Sequence, residues 1–90
     1  MNFKWEANPN AGALATPNEG DIVHLKLIDS YEYLVKCIVS SALPGKIEGT
    51  VQAVFDWNDQ VNIDSANVLE LVGKSVAFTP QFVQKVIPHA

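Results

Sequence analysis

This chain of 90 residues contains no arginine. Its six basic residues are lysines (Lys4, Lys26, Lys36, Lys46, Lys74 and Lys85), and ten carboxylates outnumber them to leave a formal net charge of −4. Nucleic-acid binding draws much of its affinity from neutralised phosphates, and arginine is the usual reader of guanine edges. A nucleic-acid role is therefore disfavoured, although a fold can gather scattered lysines on one face. The same shortage argues against an anionic membrane surface. No apolar run is longer than four residues, far short of the roughly 20 that a membrane helix needs.

Cysteine is nearly absent too. Cys37 is alone, so no disulfide can form within the chain. Its neighbours Val35, Lys36, Ile38 and Val39 read as a strand, where a thiol serves as a small buried hydrophobe. Residues 1–10 hold no apolar stretch of the kind a secretory leader requires, so the expected location is cytoplasmic. The five glycines stand singly, which excludes a glycine-rich phosphate cradle. Gly73-Lys74-Ser75 imitates the end of a P-loop, but the upstream glycine is missing and a strand is expected to follow instead of a helix.

The two histidines, His24 and His89, lie 65 residues apart and have no cysteine partners at ligand spacing, so no metal is expected. Asp59, Asn62 and Asp64 imitate part of a calcium loop without its glycine or its distal glutamate. Cys37 and His24 fall on adjacent expected strands, but on opposite faces. No serine sits in a nucleophile motif. The expectation is a non-enzyme without cofactors.

What the chain does have is strand periodicity. From Asp21 to Ile28, Val23, Leu25 and Leu27 alternate with His24 and Lys26, which predicts a strand with an exposed imidazole on its polar face. Tyr31 to Ser40 places Tyr31, Tyr33, Val35, Cys37 and Val39 together, opposite Glu32, Lys36 and Ser40. Ser41 to Gly45 reads as a turn, with Pro44-Gly45 as its strongest cue. Lys46 to Asp56 groups Ile47, Gly49, Val51, Ala53 and Phe55 on one face and Glu48, Thr50, Gln52 and Asp56 on the other. Gly49 inside this strand predicts a bulge or sharp bend. Asp64-Ser65 can cap a short helical turn through Val72, ended by Gly73. Ser75–Phe78 and Phe82–Ile87 are two further short strands.

About five strands and one helical turn predict a mainly β domain over residues 20–90. The order looks like a small antiparallel SH3-like barrel or curled sheet, with an OB-like barrel as the alternative. Residues 1–19 read as a partly flexible arm, rich in turn residues, that docks or self-associates through Phe3 and Trp5. Of the other aromatics, Phe55, Phe78, Phe82 and one tyrosine are expected in the core. Trp57 lies in a loop beside Asp56 and Asp59. With Tyr31 or Tyr33 it forms the expected contact surface, since aromatic shelves beside carboxylates are how such barrels receive peptides; the alternative is a Trp57 folded over the barrel end as a plug. An exposed strand edge adds a route to a homodimer.

The function expected on these grounds is a non-catalytic protein-interaction or accessory module, of the kind phages and mobile gene cassettes carry. The alternatives are a nucleic-acid-binding barrel and a small-ligand binder with a site between subunits.

Overall fold

The computed structural model describes residues 4–28, 31–58 and 70–89. More than half of these lie in strands and none in an α-helix. Strands β2 (Ile22–Ile28), β3 (Glu32–Leu43) and β4 (Lys46–Asp56) form an antiparallel meander, and β5 (Ser75–Phe78) pairs with the start of β4. The chain then makes a 3-10 turn at Pro80–Phe82 and returns as β6 (Val83–Ile87) against β2. A short β1 (Lys4–Trp5) pairs with Leu27 and Ile28 on that same edge, whereas β6 pairs with Ile22 to Leu25. The two lie end to end, so six strands occupy five positions in a curled sheet, a half-barrel.

The alternation read in β2 holds. Val23, Leu25 and Leu27 are fully buried, and the residues between them are half-buried. They meet Val35, Cys37 and Val39 of β3, Ile47, Val51 and Val54 of β4, Phe78 and Val83 in one inner cluster. Cys37 is a core residue as expected, and burial pushes its thiol up to about 12.

Bulges bend this sheet and change which side chains face inward. The register slips where Lys36 pairs with Ala53 but Cys37 pairs with Val51, leaving Gln52 as an extra residue. An extra residue reverses the alternation beyond it. Val54 and Asp56 therefore turn inward and are buried, while Phe55 turns outward and is only half-buried. Phe55 is thus no core residue, and Asp56 does not share the face of Glu48, Thr50 and Gln52. Its Oδ1 accepts the Asn58 N–H at 2.8 Å.

A second bulge leaves Ser40 unpaired in β3, and its hydroxyl donates to the Glu48 carbonyl at 3.2 Å. Gly49 sits beside it, as its position in the strand suggested. A Cβ there would lie 2.9 Å from the Ile38 carbonyl oxygen, so this close strand approach excludes a side chain. Pairing continues past Ser40, and Ser41–Leu43 are strand, not turn. Only Pro44 and Gly45 make the reversal, with Gly45 at φ 77°.

The helical turn read over residues 64–72 lies mostly outside the described residues. Its described end, Glu70 to Gly73, is turn, closed by a Lys74 N–H to Leu71 carbonyl bond at 2.9 Å. Residues 4–20 pack along the barrel. Asn8 donates its backbone N–H to Gln81 and its side-chain amide to Val83, Trp5 and Leu14 pack on the inner cluster, and Pro17 is buried. The Asp21 carboxylate accepts N–H groups of Asn18 and His89, each at 2.8 Å. It ties the end of this segment to the residues after β6.

Candidate functional site

The outer face of the sheet is built by cross-strand pairs. His24 on β2 stands opposite Lys36 on β3 and, across the other edge, opposite Lys85 on β6. One pair further along, Lys26 stands opposite Leu34, which in turn stands opposite Phe55. Directly opposed residues of antiparallel strands project to the same side, so these side chains share one surface.

Leu34 is the apolar floor of that surface. It is 2% exposed, yet it lies outside the inner cluster. Trp57 stands beside it, positioned by its own N–H on the Glu32 carbonyl at 3.2 Å and by the neighbouring Asp56–Asn58 turn. The Lys26 ammonium lies 4.8 Å from the centroid of the Trp57 ring. It also reaches Glu6 at 2.8 Å and Glu32 at 3.4 Å. The hydrogen bond it donates to the Glu6 carboxylate is the main cause holding this lysine above its ordinary pKa. Lys36 lies over Phe55 in the same way, also at 4.8 Å.

Between Trp57 and β6 an open cleft of about 380 Å³ is lined by Leu14, Asn10, His24, Leu34, Trp57 and Lys85, among others. The Gln84 amide donates to the Glu6 carbonyl at 2.9 Å and fastens the rim. His24 is half-buried, not exposed as its polar-face position implied. Its Nε2 is shut off from solvent and has no hydrogen-bond partner among the described residues. Burial, and then the charges of Lys36 and Lys85, hold its pKa below the ordinary value of 6.5.

The residues singled out in the sequence are divided between faces. Trp57 is on the outer face. Tyr33 packs on the inner cluster, with Tyr31 stacked obliquely on it at 5.2 Å. Asp56, across from Tyr33, is buried. Asp59 and Phe3 lie outside the described residues. Trp57 lines the cleft with Leu34 and His24, and Lys26 lies over its ring. Neighbours of that kind are set by strand register, which left only one cue in the sequence, the shared polar phase of His24, Lys26 and Lys36.

Cys37 and His24 point to opposite faces and form no nucleophile–base pair. No cluster of three metal-ligating side chains occurs among the described residues. None of the helical segments described is long and apolar enough to cross a membrane. Compared with protein-family models, curated proteins and solved structures, the chain matches none.

Proposed function

We propose that this chain is a non-catalytic binding module of SH3-like topology, which receives a partner in the outer-face cleft beside Trp57. The topology is supported by the strand order. A four-strand meander is followed by a 3-10 turn at Pro80–Phe82 and a last strand laid against the first of the meander. That favours an SH3-like over an OB-like arrangement.

The observation that carries the binding role is that Leu34 and His24 line one cleft on the outer face. A buried leucine on the outward side of a sheet forms the floor of an open cleft, with a half-buried imidazole at its wall. The pattern of an apolar floor with a few converging polar groups is the usual make-up of a binding site.

Native mass spectrometry of the gently purified chain, beside a Trp57→Ala variant of matching melting temperature, tests this reading. The expected result is an added mass that the parent chain retains and the variant loses. An equal load on both proteins, or none on either, removes the site from this face.

A further inference from the structure

Building on that reading, we propose that the cleft takes an acidic peptide segment, with a carboxylate over the Lys85–His24–Lys36 row and an adjoining apolar side chain against Leu34 and Trp57. Neighbouring strands are about 4.8 Å apart, so the row spans about 10 Å across three strands. Lys26, Lys36 and Lys85, three of the six lysines, share this face with His24 in a chain whose net charge is −4. Lys26 is already matched by Glu6 and Glu32. Among the described residues, no carboxylate lies within ion-pair distance of Lys36 or Lys85. Two ammonium groups thus flank a half-buried imidazole. An incoming carboxylate meets uncompensated charge of opposite sign, and that complementarity identifies the occupant.

A peptide fits better than a nucleic acid. Single-stranded nucleic acids are held by bases stacked on open aromatic faces and by a long basic track. Here each outer-face aromatic already has a lysine over its ring, Lys26 on Trp57 and Lys36 on Phe55. The basic row is short, and Glu6 and Glu32 stand next to it, where a second phosphate would follow. The cleft volume of about 380 Å³ is at the low end for ligand sites, which run from about 300 to 1,000 Å³. It suits one apolar side chain and a carboxylate.

His24 adds a pH dependence. The charged groups facing it are Lys36 from β3 and Lys85 from β6, while the adjacent arm residues Asn8 and Asn10 are neutral and Glu6 is engaged by Lys26. A carboxylate over the row offsets the charge of both lysines, the charge that disfavours a proton on the imidazole. Binding therefore takes up a proton and tightens as the pH falls through the histidine range.

The test is a titration of the isotope-labelled full chain at low ionic strength, read by amide chemical shifts. The probe is a blocked peptide of alternating Glu and Leu. Controls carry Gln or Lys in place of Glu, and an oligothymidylate serves as the nucleic-acid arm. The expected result is shifts in Ile22–Lys26, Leu34–Ile38 and the Trp57 indole with the Glu peptide, weakened by salt. Affinity should drop about tenfold in a Lys36→Gln/Lys85→Gln variant that melts like the parent.

Equal or tighter binding of the Gln or Lys peptide at this face overturns the acidic ligand and leaves the binding-module reading standing. Tighter binding of oligothymidylate, lost with the same two lysines, overturns it in favour of nucleic acid. No shift with any probe at millimolar concentration also overturns it. A Trp57-dependent added mass in native spectrometry would then still preserve the binding module, and its absence would end both.

Discussion

The two faces of the β2–β3 ladder differ by a single residue step. Leu25 and Val35 stand opposite each other with no exposed surface, sealed in a cluster that every strand but β1 enters. One step away on either side, His24 faces Lys36 and Lys26 faces Leu34. That outer face also buries a leucine, but under side chains that carry charge and have incomplete pairing. An inner face closed by shape alone contributes stability and offers nothing to a partner. An outer face whose polar groups are only partly matched gives up stability, and on the reading proposed above it is the face a partner meets.

Truncating one leucine on each side breaks this comparison most strongly. Leu25 and Leu34 are almost equally buried, at 0% and 2% exposure. Leu25→Ala leaves an enclosed cavity and should cost about 3–4 kcal/mol, within the usual range for core leucines. Leu34→Ala opens into a cleft that water can enter, which reduces the cavity contribution and leaves a cost of about 2 kcal/mol. Urea unfolding with the slope monitored gives both values. Equal losses would mean that the outer leucine belongs to the core and that the cleft is closed in solution.

Much of the inner face was legible in the sequence, because its signal is local. Alternation marked β2, and the bounds of β4 and β5 coincide with the runs Lys46–Asp56 and Ser75–Phe78. The errors begin at bulges. Gln52 shifts the phase of β4, so Phe55 and Asp56 exchange sides, and no residue type at position 52 announces that slip. Ser41–Leu43 looked like turn because serine and proline surround them, yet pairing with Lys46–Glu48 continues the strand to the Pro44-Gly45 reversal. The outer site was less legible still. Lys36 and Lys85 are far apart in sequence and meet at His24 only because β6 returns to the edge of β2. A lateral row across three strands has no period along any one of them.

A smaller effect tests the junction on which both faces depend. The Asp21 carboxylate accepts two backbone N–H groups, and these bonds are the main cause lowering its pKa from the ordinary 3.8. As pH falls, the unfolded chain binds this proton first. The stability from Asp21 is therefore present above pH 3.8 and is lost as pH falls through the lower folded value. Asp21→Asn should be less stable at neutral pH and should lose less on acidification. Urea midpoints at a series of acidic pH values measure the slope. An unchanged acid slope would show that the carboxylate's bonds do not survive in solution.

The smallest effect separates the outer face from everything else by its pH window. His24 is held neutral in the folded chain, by burial first and then by Lys36 and Lys85, while in the unfolded chain it titrates near 6.5. The unfolded state therefore takes up the proton first as pH drops. Stability from the neutral imidazole is complete above pH 6.5 and declines below it, through the folded pKa. His24→Gln should flatten that decline, and the Asp21 change should not, because its window lies at a lower pH. Lys36→Gln should move the His24 titration back towards its ordinary value, read directly from the imidazole proton shifts. A bound carboxylate should move it the same way, since it cancels the same lysine charges without removing them. If the Lys36 change, and then a Lys36→Gln/Lys85→Gln change, left the titration in place, burial alone would account for the shift. The row would then lack the electrostatic coupling that a carboxylate ligand needs.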